Sequence, residues 1–271
     1  MSKYYCGCDV GSTYAKCVIL DENNNIVSKA IVRSKVDPGE SAKATITQAL
    51  ESIDGISKPE ELEYIIGTGY GRTQVALADE NISEISCHAM GVHAVNPKVR
   101  TIIDIGGQDV KGISVDADGS VKDFGMNDKC AAGTGRFFEL MARALEVDIE
   151  EFSGLSLKST KNVSITSQCS VFAETEVISL LAQKVSTADI AQGIQISVAK
   201  RCFGMAKSVG LIDGVTITGG CAKNEGLILA LEKVLRVKIV RLNEDPQLMG
   251  ALGAAVYAVQ KSKVQGMKLK Y

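Results

Sequence analysis

The sequence of 271 residues contains no tryptophan, and aromatic residues make up only 5% of it. Proteins that bind single-stranded nucleic acid stack the bases on aromatic side chains, so this composition argues against that class. The net charge of -2 gives no basic footprint for nucleic acid of any kind. The longest apolar run, residues 248–259, is too short and too rich in glycine to span a bilayer. We therefore expect neither nucleic acid nor a membrane as a partner.

A signal peptide and a C-x-x-C cysteine pair are also missing, although the chain has eight cysteines. Disulfides are rare in cytoplasmic proteins, and without C-x-x-C the usual single-chain spacing of zinc or iron–sulfur ligands is absent. Hydrophobic residues make up 45% of the chain and charged residues 23%, which suits one large or two modest globular domains. We expect a soluble, cytoplasmic protein.

Two cysteines each precede an amphipathic helical pattern. Cys130 lies among the small residues of the run 127–137, and apolar residues then recur at a spacing of three to four. Cys169 precedes a second such pattern. The free N–H groups and the dipole at a helix N-terminus favour negative charge, so two such cysteines suit an anionic metal–sulfur centre. The alternative is that small buried cysteines simply pack near helix starts.

Two predicted strand–turn–strand segments each carry an aspartate followed by glycine and polar residues. The first has Asp9, the turn Gly11-Ser12-Thr13, and Lys16 on the returning strand. The second has Asp104 followed by Gly106-Gly107-Gln108-Asp109. Glycine permits close approach of a phosphate, hydroxyl and N–H groups donate to it, and a carboxylate such as Asp9 can hold Mg²⁺ through water. One such hairpin is weak evidence, but two in successive halves can bind one polyphosphate from both sides.

Two later segments add to this pattern. Gly219 and Gly220 lie at a predicted strand-to-helix turn, where they permit close approach of a base or ribose. The alternative is an ordinary β–α turn. A further helix is predicted to begin at Pro246, and its small residues would let another helix pack closely, as a hinge between two domains requires.

Together these segments resemble the actin/Hsp70/sugar-kinase superfamily. The matches to its first phosphate loop, second phosphate loop, adenosine loop and second connecting helix lie at residues 8–13, 103–109, 218–220 and 250–254. The resemblance implies an α/β fold of two ribonuclease-H-like domains that close over ATP.

The resemblance also implies where the domains lie. The N-terminal domain is expected at residues 1–98, completed by a C-terminal helix at 246–261. The second domain, with the two cysteines, is expected at 99–245. Residues 261–271 lie outside the resemblance, and we expect them to be either a flexible tail or an added, non-native segment.

Within this superfamily the chain is similar to the activators (component A) of 2-hydroxyacyl-CoA dehydratases, in the family of the benzoyl-CoA reductase ATPase subunits. The runs that carry this closer match are at residues 15–17, 68–72, 86–91, 127–137 and 171–174. In that family the equivalents of Cys130 and Cys169 ligate one 4Fe-4S cluster shared by two identical subunits. The resemblance thus implies ATP, Mg²⁺ and one 4Fe-4S cluster per homodimer.

The resemblance assigns roles to the remaining candidates. Asp9 and Asp104 would place Mg²⁺, Lys16 would contact phosphate, and Gln108 would orient the attacking water. The implied function is ATP-dependent donation of one electron to a 2-hydroxyacyl-CoA dehydratase, with ferredoxin or flavodoxin as the electron donor. Two alternatives are a small-molecule (sugar-type) kinase, which would not need the two cysteines, and the ATPase subunit of an aryl-CoA reductase.

Overall fold

The structure, a computed structural model, describes residues 3–167, 169–212 and 214–268. It divides into two compact units. Unit 1 comprises Met1–Lys98, Val115–Val121 and Leu242–Tyr271, and unit 2 comprises Val99–Ser114 and Lys122–Arg241. The domain limits proposed above, 1–98 with 246–261 and 99–245, stay a prediction.

Unit 1 contains a five-stranded sheet in the order β3-β2-β1-β4-β5. Its strands are β1 Tyr4–Val10, β2 Tyr14–Asp21, β3 Ile26–Arg33, β4 Tyr64–Thr68 and β5 Glu80–Asn81. Strand β1 pairs antiparallel with β2 and parallel with β4. Because β1 lies in the middle of the sheet and is buried on both faces, it reads as a nearly continuous apolar run.

Among the described residues of unit 1 are three α-helices: α1 Pro38–Leu50, α2 Glu84–Val95 and α8 Met249–Lys268. Asp37 caps α1, because its carboxylate accepts a hydrogen bond from the Gly39 N–H at 2.7 Å. The tail prediction is wrong as far as Lys268, because α8 continues to that residue; residues 269–271 lie outside the described ranges. No helix within those ranges is both long and apolar enough to cross a membrane.

Unit 2 is built on a four-stranded sheet in the order β8-β7-β6-β9. The strands are β6 Thr101–Ile105, β7 Val110–Val115, β8 Val121–Asn127 and β9 Val215–Thr218. Strand β6 pairs antiparallel with β7 and parallel with β9, just as β1 pairs with β2 and β4. The two sheets therefore share one arrangement, a hairpin followed by a parallel strand beside its first member.

Five helices accompany this second sheet: α3 Gly135–Ala144, α4 Ile149–Ser156, α5 Ser170–Ala182, α6 Thr187–Ser208 and α7 Glu225–Leu235. Helix α3 buries Phe137, Phe138 and Met141 on one face. The ring of Phe138 packs edge-on against Phe152 of α4, with 5.7 Å between the ring centroids. The apolar spacing after Cys130 therefore marks a helix packed into the core of unit 2.

Helices α2 and α8 of unit 1 pack at backbone contact. A Cβ atom added at Gly253 would overlap the Cys87 carbonyl oxygen, and one added at Gly91 would overlap the Met249 carbonyl oxygen. The small residues predicted for this C-terminal helix thus serve close packing against α2.

We expect Gly253→Ala to lower the thermal midpoint of the protein by roughly 2–12 °C, because overpacking costs about 1–3 kcal/mol and each kcal/mol shifts the midpoint of a chain of this size by about 2–4 °C. The matched control is Gly204→Ala in α6, where an added Cβ would meet no atom within 4 Å. That exchange should stabilise the helix by about 0.5–1 kcal/mol. Circular dichroism melting curves measure both effects, and a Gly253→Ala midpoint at or above the wild-type value would contradict the packing argument.

Candidate functional site

The first hairpin turn carries a nearly buried ion pair. Asp9 of β1 lies directly opposite Lys16 of β2 in the strand register. The Lys16 Nζ donates to Asp9 Oδ2 at 3.0 Å, and the two side chains are 14% and 4% exposed. The Gly11 N–H donates to the Tyr14 carbonyl and closes the turn that contains Ser12 and Thr13. The structure thus brings together the residues predicted for the first phosphate turn.

The second hairpin turn repeats this ion pair. Asp104 of β6 lies opposite Lys111 of β7, and the Lys111 Nζ lies 3.2 Å from Asp104 Oδ2 and 2.9 Å from Asp109 Oδ1. Both Lys111 and Asp104 are almost fully buried, and Thr218 Oγ1 of β9 donates to Asp104 Oδ1 at 2.8 Å. Lys111 is a site residue that the sequence reasoning missed. The signal was present, because a lysine follows the aspartate by seven residues in both hairpins.

The second turn is also hydrogen-bonded to the first turn of α3. The Gly135 N–H donates to the Gly106 carbonyl at 2.9 Å, and the Arg136 N–H donates to the Gly107 carbonyl at 3.0 Å. The Gln108 amide oxygen, oriented to suit its neighbours, accepts from Arg136 Nη2 at 2.9 Å and Nε at 3.1 Å. This fork holds the Gln108 side chain in one orientation. The phosphate turn and the helix that follows Cys130 are therefore directly connected.

Gly219 lets the end of β9 approach the second turn. Its φ angle of +82° lies in the region that favours glycine, and an added Cβ would overlap the Ile105 carbonyl oxygen and lie 3.0 Å from Asp104 Oδ1. Gly220 then begins a short 3-10 turn, Gly220–Lys223. The predicted glycine pair thus lies beside Asp104, within unit 2.

Exposure separates two cysteines from the other six. All eight lie within the described ranges and have free thiols, and Cys130 and Cys169 are the exposed ones. Burial raises the pKa of Cys87 and of Cys202 to about 12, and it raises the pKa of Cys8 well above its usual range. These thiols are enclosed by other side chains, so a cluster held at the protein surface cannot reach them. The donor chemistry therefore fits an iron–sulfur cluster at Cys130 and Cys169.

The two exposed cysteines lie differently with respect to their helices. Cys169 is the N-cap residue of α5, and its carbonyl accepts from the Ala173 N–H at 2.9 Å. Cys130 instead precedes a turn in which both the N–H and the hydroxyl of Thr134, the N-cap of α3, bond the Ala131 carbonyl. The prediction of free N–H groups at the start of α3 is wrong for Gly135 and Arg136, because the carbonyls of the phosphate turn occupy them.

Within the described ranges, no group of three or more His, Cys, Asp or Glu side chains is placed to hold a metal ion. A 4Fe-4S cluster requires four thiolates, so the exposed pair would supply half of such a ligand set.

The comparisons with known proteins define the class. Residues 6–258 match the model of the BadF/BadG/BcrA/BcrD ATPase family, and the chain belongs to that family. It is 48% identical over 264 residues to the (R)-2-hydroxyglutaryl-CoA dehydratase activating ATPase of Acidaminococcus fermentans, covering 97% of this chain and 99% of the relative. It is 46% identical over 260 residues to the activator of lactoyl-CoA dehydratase of Anaerotignum propionicum, covering 96% and 99%.

Solved structures agree with this assignment. The activator of the 2-hydroxyisocaproyl-CoA dehydratase from Clostridium difficile, with bound ADPNP, superposes with a TM-score of 0.91 at 42% identity, covering 98% of this chain and 97% of the other. A ROK family glucokinase from Streptomyces griseus shares the fold alone, with a TM-score of 0.58 at 14% identity, covering 95% of this chain and 99% of the other. The predicted fold class, α/β with two units of the actin/Hsp70/sugar-kinase type, is confirmed, as is the resemblance to the dehydratase activators.

Proposed function

We propose that this protein uses ATP hydrolysis to pass one electron to a 2-hydroxyacyl-CoA dehydratase, through a 4Fe-4S cluster shared by two identical subunits. One observation carries the proposal. Cys130 and Cys169 are the exposed thiols of the chain, and the helix after Cys130 is hydrogen-bonded to the Gly106-Gly107-Gln108 turn.

Each hairpin turn would supply part of the nucleotide site. Gly11, Ser12, Thr13 and Lys16 of the first turn would contact phosphate, as would Gly106 and Gly107 of the second, while Gly219 and Gly220 would lie against the adenosine. Asp9 and Asp104 would hold Mg²⁺, which when bound neutralises charge on the transferred phosphoryl group. The lysine opposite each carboxylate supports this assignment, because it holds the carboxylate oxygen in place in the turn.

A homodimer would complete the cluster site. Two thiolates from each of two chains related by a twofold axis make the four that a 4Fe-4S cluster needs. Val171 and Phe172 lie in the first turn of α5, two and three residues after Cys169, and their side chains are 63% and 67% exposed. Such a large exposed apolar pair beside the candidate ligand is typical of a surface that another protein covers. The cluster, when bound, would store and release one electron.

The link between the second turn and α3 supports coupling of ATP to electron transfer. For a one-electron couple, about 59 mV corresponds to about 1.4 kcal/mol, so lowering a potential by a few hundred millivolts needs several kcal/mol. One hydrogen bond contributes only about 0.5–1.5 kcal/mol, which is too little. Movement of whole segments changes many contacts at once and can supply several kcal/mol. We propose that ATP at the second turn shifts α3 through Gly135 and Arg136 and thereby displaces Cys130.

The acceptor is proposed at the level of its chemical class. The relatives above are activators of dehydratases for hydroxyglutaryl, lactoyl and hydroxyisocaproyl groups, and their identities to this chain are similar, at 48%, 46% and 42%. That spread supports a 2-hydroxyacyl-CoA dehydratase as partner without selecting one acyl group. Ferredoxin or flavodoxin is the proposed source of the electron.

Anaerobic purification tests the proposal. We expect a brown protein with about four iron and four sulfide per dimer. Added to an inactive 2-hydroxyacyl-CoA dehydratase with a reductant, it should start dehydration only when Mg·ATP is present. A colourless protein without iron that still hydrolyses ATP would contradict the proposal and favour the alternative, a small-molecule kinase of this fold. Activation of an aryl-CoA reductase, but of no dehydratase tested, would support the other alternative.

We expect Gln108→Ala to lower steady-state ATP hydrolysis by at least about tenfold, because a group positioned to direct the attacking water typically contributes that much or more. Nucleotide affinity should stay within about twofold, since the backbone of the turn remains bonded to α3. Phosphate release and titration with ADP measure the two quantities. Gln183→Ala, at the C-terminal end of α5, is the control. Unchanged hydrolysis would remove Gln108 from the catalytic machinery.

A further inference from the structure

Arg201 of α6 contacts both segments that carry the exposed cysteines. Its Nη2 donates to the Ser167 carbonyl at 3.1 Å, two residues before Cys169. Its guanidinium carbon lies 5.5 Å from the centroid of the Phe137 ring, in the first turn of α3. Its side-chain stem passes beside Gly133, where an added Cβ would lie 3.5 Å from Arg201 Cδ. One side chain therefore spans from the Cys130 segment to the Cys169 segment.

Both backbone polar groups of Ser167, its N–H and its carbonyl, are hydrogen-bonded to side chains. While its carbonyl accepts from Arg201, its N–H donates to Glu176 Oε2 at 2.9 Å. Glu176, on α5, also accepts from the Thr166 N–H and hydroxyl, each at 3.0 Å to Oε1. The approach to Cys169 is thus fixed by its own helix through Glu176. Arg201 adds a connection to the other cysteine segment.

The guanidinium group of Arg201 is half-buried, and in such surroundings it would attract a nearby anion strongly. Burial lowers the pKa of Arg201, and the electrostatic influence of the nearby Cys130 side chain opposes that shift. An arginine stays protonated at neutral pH in any case, so the half-buried side chain is a permanent positive charge. Charges in such partly desolvated surroundings interact several times more strongly than in bulk water. Phe137 supplies an aromatic face that accommodates the cation.

We propose that Arg201 is a positioning residue that joins the two cysteine segments of a subunit and places a positive charge beside the cluster they would hold. This inference rests on the proposed function. Its first consequence is mechanical, because a displacement of the Cys130 segment would be passed to the Cys169 segment through one side chain. Its second is electrostatic, because the cluster becomes more negative on reduction and the reduced state would be stabilised by the cation.

The test compares three anaerobically purified homodimers: the wild-type protein, Arg201→Gln and Arg201→Lys. Glutamine keeps an N–H donor for Ser167 but has no charge, whereas lysine keeps the charge but loses the planar fork. At a fixed solution potential near the wild-type midpoint, we expect the ratio of reduced to oxidised cluster to fall about tenfold in Arg201→Gln, equivalent to 59 mV for a one-electron couple. In Arg201→Lys the ratio should stay within about threefold.

Iron loss to a chelator gives the second readout. Both variants should lose iron several-fold faster than wild type, since each loses part of the connection between the segments. Arg143→Gln is the matched control, because Arg143 is an exposed arginine of α3 that bonds the Glu139 carbonyl of its own helix. It should match wild type in both measurements. Spectroscopic redox titration and absorbance of the iron–chelator complex supply the data.

Each possible result either supports or overturns the role inferred for Arg201. An Arg201→Gln dimer with wild-type iron content, reduced-to-oxidised ratio and chelation rate would overturn the inference. An Arg201→Gln protein that binds ADP normally but retains no iron would support it as a complete loss of positioning. If Arg201→Gln does not fold, Arg201→Lys decides, and a wild-type chelation rate in that variant overturns the inference. Wild-type protein without iron would remove the proposed function, and this inference with it.

Discussion

Replacing either Cys130 or Cys169 with alanine should abolish the iron content and the visible absorbance of the anaerobically purified protein. In a homodimer one substitution removes two of the four thiolates that a 4Fe-4S cluster requires. The buried cysteines are poor replacements, because thiols such as Cys87 and Cys202 are fully buried and a cluster held at the surface cannot reach them. Iron and sulfide assays, with the absorption spectrum, measure the loss.

Cys202→Ala is the control for this experiment. Cys202 lies on α6 in the core of unit 2 and is fully buried, so its replacement costs stability without touching the exposed pair. We expect a wild-type cluster in Cys202→Ala. All three variants should also bind ADP like the wild type, because within the described residues neither exposed thiol is hydrogen-bonded to either hairpin turn. Full iron content in Cys130→Ala or Cys169→Ala would contradict the cluster assignment.

Asp104→Asn should reduce ATP hydrolysis by at least about 100-fold, the scale seen when a preorganised electrostatic group is removed from an active site. The Asp104 carboxylate accepts from Thr218 Oγ1 and from Lys111 Nζ, and the proposed function gives it Mg²⁺ as well. The amide has no charge to offer the metal, and its NH₂ group would face the Lys111 ammonium or the Thr218 hydroxyl. Phosphate release over a range of Mg²⁺ concentrations measures the effect.

Asp118→Asn makes the same chemical change outside the proposed site. Asp118 lies in the turn between β7 and β8 and accepts from the Ser120 N–H and hydroxyl. Its replacement should leave hydrolysis within about twofold of wild type. Melting curves of both variants separate a catalytic effect from unfolding, since loss of a buried charge beside Lys111 also destabilises unit 2. Hydrolysis by folded Asp104→Asn at the Asp118→Asn rate would exclude Asp104 from the reaction.

Local sequence patterns were sufficient to predict the two hairpins, whose role in phosphate binding stays a prediction. The order aspartate, glycine, polar residue predicts a strand, a tight turn and a returning strand, and the chain forms β1–β2 and β6–β7 at those places. The helices after Cys130 and Cys169 followed from the apolar spacing of three to four. Such features depend on residues close together in the chain, and the resemblance to a family supplied the rest of the fold.

The connections around the candidate site depend on distant residues. Gly106 meets Gly135, Gln108 meets Arg136, and Ser167 meets Arg201. No local periodicity encodes these pairs. Lys111 was overlooked for a different reason: within β7 it reads as an ordinary strand residue, and only its position opposite Asp104 reveals that it is buried and ion-paired. The error about free N–H groups at α3 likewise came from a local rule that ignored an incoming loop.

The paired lysines and aspartates also bear on the form in which the nucleotide is received. Each turn carries its own counter-cation, Lys16 for Asp9 and Lys111 for Asp104. If each turn binds nucleotide as proposed, its carboxylate would repel a bare polyphosphate and its ammonium group would repel a bare divalent ion. A magnesium–nucleotide chelate presents both signs together and can exchange partners with both members of a pair. Under the proposed function, each turn taken by itself is therefore suited to receive metal and nucleotide together as one chelate.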